Sequence, residues 1–276
     1  VRRLARRKRR FPRETQTRLE RPLSLRTVGG TDLWVEEGGK SDGPTLLLMH
    51  GLSGTGETWA GLREILTDQW QGRWIIPDMR GHGRSAHCAA YGIGNHAADM
   101  AALLEGADNP VVAGHSMGGL VGIMLASGMF GIMPAAVVTV GVKVDWTEDE
   151  FAGMAKLISM PVRWFDSAAE ARERFVLVTG LKGLVSPDSD LAHTGVTEED
   201  GKWRLAADNR AAAVAYAETR DIYRSARAPV LLAAGEQDRM VSLADLQTLD
   251  TAAQLLPGLG HNAHVENPPA FWELIA

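Results

Sequence analysis

One stretch constrains this chain more than any other: Val111-Val112-Ala113-Gly114-His115-Ser116-Met117-Gly118-Gly119. A short apolar run rich in β-branched residues ends in Gly-x-Ser-x-Gly and passes at once into a helical apolar pattern. That order exposes one serine at a strand-to-helix corner. The corner forces the serine backbone toward positive φ, which is strained for a residue with a Cβ. Gly114 and Gly118 let neighbouring backbone come close without a Cβ clash. The hydroxyl then stands clear of the sheet, at the positive end of the helix that starts near Met117. The five-residue pattern also fits a glycine-rich turn of a nucleotide-binding fold. The strand before it, the helix after it and the further Gly119 favour a nucleophile.

The flanking sequence alternates strand and helix. Leu33-Trp34-Val35 reads as a half-buried strand after the Gly29-Gly30 turn, and Thr45–Met49 as a strand buried on both faces. Residues 58–66 read as a helix, 74–77 as a strand, 93–104 as a helix and 110–114 as the strand feeding the serine. Residues 117–129 read as a helix, 135–140 as a strand, 229–234 and 253–256 as strands, and 269–275 as a final helix. This alternation predicts a parallel sheet covered on both faces. Between about Val144 and Arg227 the rhythm breaks into helical or loop-like sequence holding Trp146, Trp164, Phe165 and Trp203. The expected organisation is a core of residues 23–143 and 228–276, a helical insertion of residues 144–227 placed like a lid, and a basic arm of residues 1–22. The insertion also reads as a structural extension that touches no ligand.

Charge is uneven along the chain. Residues 1–26 hold 11 of the 29 Lys and Arg but two of the 34 acidic residues, which leaves the remainder at a formal −14. An acidic body repels phosphate backbones, so nucleic-acid binding by the globular part is not expected. The arm has the charge density of a solvated, unpacked segment. The single cysteine, Cys88, allows no intrachain disulfide or thiolate metal cluster and fits a reducing cytoplasm. No apolar run is long enough to span a bilayer.

A serine hydroxyl at neutral pH needs a base to take its proton and a third group to orient that base. Among eight histidines, His261 lies in a glycine-hinged loop, Gly258-Leu259-Gly260-His261, after a candidate strand. His264 is its rival, three residues on. His115 adjoins the serine and is expected to point away from it. Asp238 follows the 229–234 strand and is the expected orienting acid. Asp145 is the alternative, Asp238 also reads as a turn or cap residue, and Glu236 is expected to be aimed elsewhere. Donors for a developing oxyanion are expected from the backbone N–H of Met117 and of Leu52, with Ser53 close behind. Ser53, Trp59, Trp146 and Trp164 are candidates for contacting substrate, and each tryptophan reads equally well as core packing.

These pieces together resemble the α/β-hydrolase superfamily. The resemblance rests on His50-Gly51-Leu52, on Asp78-Met79-Arg80-Gly81-His82-Gly83-Arg84-Ser85, and on Gly114-His115-Ser116-Met117-Gly118-Gly119. It extends to Gly235-Glu236-Gln237-Asp238 and to the segment from Gly260-His261 through Asn267-Pro268. It implies an α/β-hydrolase fold: a mostly parallel eight-stranded sheet with helices on both faces and a helical cap near 144–227. The order Ser116, Asp238, His261 is the order such a triad takes on this sheet. The implied activity is a serine hydrolase, with no cofactor or metal, cleaving a small-molecule carboxylic ester or lactone through an acyl-enzyme. The same resemblance leaves open a carbon–carbon bond hydrolase of ring-cleavage products, a perhydrolase, an acyltransferase, or a ligand receptor that kept the triad. His115 and the Gly51-Leu52-Ser53-Gly54 loop lean toward ester chemistry.

Overall fold

A computed structural model describes residues 23–276; the expected basic arm, residues 1–22, lies outside the described residues. Strands β1 (Leu23–Val28) and β2 (Thr31–Gly39) form a hairpin through Gly29 and Gly30, both at positive φ. Next come β3 (Thr45–Met49), helix α1 (Ala60–Gln69), β4 (Arg73–Pro77) and α2 (Ile93–Leu103). Strand β5 (Val111–His115) leads into α3 (Met117–Leu125), followed by β6 (Ala136–Val140). Then follow α4 (Glu148–Ser159), α5 (Ala168–Val178), α6 (Asp190–Thr194), β7 (Val196–Glu199), β8 (Lys202–Leu205) and α7 (Thr219–Ser225). The chain returns to the sheet with β9 (Val230–Gly235), α8 (Leu243–Gln247), β10 (Gln254–Leu256), α9 (Ala263–Glu266) and α10 (Pro268–Trp272).

The main sheet has eight strands in the order β1-β2-β4-β3-β5-β6-β9-β10. Every neighbouring pair from β4 to β10 is parallel; β1–β2 and β2–β4 are antiparallel. The alternation of side chains along β3 shows why its run is apolar throughout. Leu47 and Met49 join one buried cluster with Met100 of α2 and Val121 of α3. Leu46 and Leu48 join the opposite cluster with Leu62 of α1 and Phe271 of α10. A strand with helices on both faces has no polar side to show.

Two expectations need correction. Helix α3 stops at Leu125 rather than near 129, because Gly128 takes a left-handed conformation (φ +74) just beyond it. The segment between β6 and β9 is not wholly helical or loop-like, since β7 and β8 pair as an antiparallel hairpin. Their two-residue turn is Asp200-Gly201, with φ of 50 and 76. Asp-Gly between short strand-like runs is the sequence signature of that turn, so the signal was present. Among the described residues, no helix is long and apolar enough to cross a membrane.

Candidate active site

The carboxyl ends of β3, β5 and β9 meet at one rim, where parallel α/β sheets place their ligand sites. At the centre, Ser116 has φ 50 and ψ −115, and its N–H donates to Val140 O at 2.9 Å. The corner is tight. A Cβ on Gly118 would stand 2.3 Å from Met49 O, and one on Gly114 would stand 2.4 Å from the Gly118 backbone. Any side chain there would push α3 off the sheet, which explains both glycines in physical terms.

Asp238 lies three residues beyond β9. Its side chain is fully buried, and Oδ1 accepts from the N–H groups of Met240 (2.8 Å) and Val241 (3.2 Å). Its Oδ2 is 2.8 Å from His261 Nδ1. With Nδ1–H donating to that carboxylate, the lone pair of the neutral ring is on Nε2. The loop carrying His261 is fastened by two carboxylates: Glu236 accepts from Gly258 N–H at 2.8 Å and Glu266 from Gly260 N–H at 2.7 Å. Glu236 is thus aimed at the loop and away from the ring. Ser116 and His261 line one cavity of about 1610 Å³, together with Leu52, Ser53, Met117 and Trp146.

The alternatives are separated in space. His264 is fully buried against the Trp59 ring, with centroids 4.4 Å apart, and burial pushes its pKa down to about 3. Asp145 is exposed and bound by the Arg220 guanidinium, whose hydrogen bonds hold its carboxyl below the ordinary range. Neither forms a hydrogen bond with Asp238 or His261. Trp59 belongs to the core and not to the cavity wall, packed between His264 and Phe271. Trp164 is 45% exposed and lies outside the cavity lining, although its neighbours Arg163 and Phe165 belong to it.

Three residues near the rim gained no role from sequence reasoning. His50 is fully buried and clamps the turn after β3: its Nδ1–H donates to Gly51 O at 2.8 Å, and its Nε2 accepts from Met79 N–H at 2.9 Å. Burial lowers its pKa, which keeps that neutral tautomer. The turn closes through Gly54 N–H to Gly51 O at 3.0 Å, a bond that does not use the Leu52 and Ser53 N–H groups. Ser53 sits at φ 64 within it. Met117 is the first residue of α3, where a backbone N–H has no acceptor within the helix. Asp78, after β4, accepts from Gly56 N–H at 2.7 Å and from Arg84. His115 reaches toward the site, its ring centroid 4.7 Å from that of His261 and 4.4 Å from that of His264. Burial holds its pKa well below the ordinary histidine value, so it presents a neutral ring beneath His261. The placement of His50 and Asp78 directly after strands was the signal in the sequence; the inward turn of His115 had none.

Comparison with known proteins agrees with this architecture. A stretch of 105 residues is 37% identical to the magnesium-chelatase 30 kDa subunit of Rhodobacter capsulatus, covering 37% of this chain and 36% of that protein. A stretch of 98 residues is 38% identical to the lipase LipV of Mycobacterium tuberculosis, covering 35% and 36%. The matched stretches thus span about a third of the length of these curated relatives. Among solved structures, the thioesterase domain from the curacin biosynthetic pathway superposes with a TM-score of 0.77 at 20% identity, over 93% of this chain and all of that domain. The sequence pattern of the alpha/beta hydrolase family matches residues 46–274, and the chain belongs to that family.

Proposed function

We propose that the protein is a serine hydrolase that cleaves a carboxylic ester or lactone through an acyl-enzyme. One observation carries this reading: a buried carboxylate, Asp238, holds Nδ1 of His261 at 2.8 Å, in a cavity wall that also contains a serine at positive φ. Ser116 Oγ attacks the carbonyl while His261 Nε2 takes its proton. The same imidazolium then protonates the leaving alcohol, and Asp238 stabilises the cation and fixes the ring. Water clears the acyl-enzyme with His261 again as base. The N–H groups of Leu52 and Met117 receive the oxyanion, and their rigid settings mean little reorganisation as charge develops. The segment 144–227 serves as a cap, since Trp146, Met154 and Leu177 from it line the cavity over the serine.

The test is hydrolysis of a panel of p-nitrophenyl esters, lactones and a ring-cleavage product. Ser116→Ala is expected to lower kcat by about 10⁴-fold or more, with the fold unchanged by circular dichroism. Turnover by Ser116→Ala at near wild-type rate defeats the nucleophile assignment. Cleavage of the ring-cleavage product alone replaces ester chemistry with carbon–carbon hydrolysis.

A further inference from the structure

The cavity over Ser116 has the opposite charge to the body that contains it. Beyond residue 26 the chain carries a formal −14, yet seven Lys and Arg line the cavity against two acidic residues, Asp208 and Glu266. Three of the seven are engaged: Lys143 with Glu150, Arg204 with Glu199 and Arg210 with Asp208. Arg163, Arg174, Lys182 and Arg239 have no carboxylate partner among the described residues.

Three of those four belong together. Arg163, Arg174 and Lys182 also line a second cavity of about 690 Å³, so they stand where the two spaces adjoin. Arg174 is half-buried on α5, Lys182 follows that helix, and the Arg163 guanidinium lies 4.9 Å above the Phe165 ring. Stacking on an aromatic face holds a guanidinium in place while leaving its N–H groups to other acceptors. Glu170 and Glu173 also line the smaller cavity but form no ion pair with the three cations. Three cations that form no ion pair, against two carboxylates in the same space, leave a net positive field for an anion from outside. The wall around them is apolar: Leu177 and Val178 are 50% and 38% exposed and face the main cavity. At about 1610 Å³ that cavity exceeds the usual range for a drug-sized ligand.

We infer that the substrate is a large apolar acyl compound with a carboxylate or phosphate at the end remote from the scissile carbonyl, and that Arg163, Arg174 and Lys182 bind that anion. This rests on the hydrolase reading above and names its substrate class. Both anions, the planar carboxylate and the tetrahedral phosphate, offer at least two charged acceptor oxygens to guanidinium and ammonium donors.

The test compares three p-nitrophenyl esters of one chain length: mono-p-nitrophenyl suberate, its methyl-capped neutral form, and p-nitrophenyl 8-phosphonooxyoctanoate. Each is measured with wild type and with R163Q/R174Q/K182Q. Wild type is expected to prefer one or both anionic esters over the neutral one by about tenfold or more in kcat/KM, the scale of a charge-assisted contact. The preference shrinks as salt rises, and the larger of the two identifies the anion. In the triple variant the anionic-to-neutral ratio falls to about one; a general loss of folding or catalysis leaves that ratio alone. Equal rates on all three esters, or a preference that survives in the variant, overturn the inference while leaving the hydrolase reading intact. If no ester turns over, that reading fails instead. Calorimetry of suberate against dimethyl suberate on Ser116→Ala, with and without the three Gln substitutions, then probes the anion site without turnover. Suberate is expected to bind the more tightly only while the three cations are present, and equal binding of the two compounds overturns the inference.

Discussion

The sheet rim and the segment laid over it are built from different interactions. Around the rim, several buried polar groups are each held by more than one hydrogen bond. Asp78 receives Gly56 N–H and both backbone and side-chain N–H groups of Arg84, and His50 uses both ring nitrogens. Arg80 meets Asp99 through two 2.6 Å bonds, with both side chains at least nine-tenths covered. The overlying segment has a small apolar centre of its own, Phe175, Val176, Leu181, Leu191 and Ala192. Helix α4 buries no residue, and its start depends on a Thr147–Glu150 capping box. Ion pairs there, such as Lys202–Asp166 and Arg224–Asp221, are more than half exposed. A few bonds tether it below: Tyr91 Oη–H to Asp208 at 2.8 Å, Asp208 N–H to Gly81 O at 2.8 Å and Asn262 Nδ2–H to Thr179 O at 3.1 Å. Groups that must be held to fractions of an ångström sit where displacement is costly. On the proposed reading, groups that would select a substrate sit where replacement perturbs little else.

The largest expected contrast is kinetic. His261→Ala removes the proposed base at the rim and is expected to lower kcat by about 10⁴-fold or more with little change in KM. Trp146→Ala, in the overlying segment, removes cavity wall; it is expected to act mainly on KM, with kcat held within a few-fold. Steady-state kinetics on one good ester decides between them. Equal damage to kcat from both substitutions breaks the division between chemistry below and selection above.

The second contrast is in stability. Asp99→Ala strands the buried Arg80 guanidinium, and removing one partner of a buried pair costs about 3 kcal/mol or more. Burial pushes the Asp99 pKa up despite Arg80, so the pair gains little as a pair, yet losing half of it leaves a charge without its counter-ion. Urea unfolding of Asp99→Ala and of Asp166→Ala provides the comparison. Asp166 is fully exposed, and its loss should leave the midpoint within error.

The two regions also differed in how far the sequence exposed them. The rim was legible because strand, glycine and charged residue follow one another locally: the elbow at Ser116, Asp238 three residues past β9, and His261 behind Gly260. Which imidazole met the carboxylate depended on the loop's path, and Glu236 and Glu266 set that path through Gly258 and Gly260. His115 was misjudged because its direction depends on Gly51 across the rim, where a Cβ would stand 2.6 Å from its Nδ1. The overlying segment was legible as an interruption and little more. Its hairpin is short and its faces are half-exposed, so hydrophobic period carries almost no signal there. Trp59 and Trp164 show the same limit, since a tryptophan's size marks burial or contact but not which.

Acid offers a third contrast. Burial pushes His82 and His264 down to about 3, while in an unfolded chain they titrate near 6.5. Between those values the unfolded state binds more protons, so stability falls as pH drops from 6.5 toward 3. In the overlying segment the acid-sensitive groups include carboxylates such as Glu199 and Asp166, lowered by Arg204 and Lys202. Their contribution is lost only below about pH 4.5, the unperturbed carboxylate range. The urea midpoint is therefore expected to start falling near pH 6.5, before Glu199 and Asp166 protonate, and His264→Leu should flatten that first slope. A midpoint constant from pH 7 to pH 5 contradicts the assignment of these rings as buried and neutral.

The smallest effect is expected where the two regions join. Asp145 follows β6 and looked, from its place in the chain, like an alternative orienting acid. It is bound to Arg220 on the surface, and its partner also reaches Thr248 Oγ1 at 3.1 Å. Exposed pairs of this kind are screened by solvent and contribute little. Asp145→Ala should therefore leave kcat within twofold of wild type and the unfolding midpoint within error, while Asp238→Asn loses about 10⁴-fold by disturbing the imidazole tautomer. The two substitutions remove carboxylates from neighbouring strand ends of one sheet. If Asp145→Ala instead costs a hundredfold, the acid that serves His261 during turnover is not the one bonded to it at rest, and the insertion must move the ring before chemistry begins.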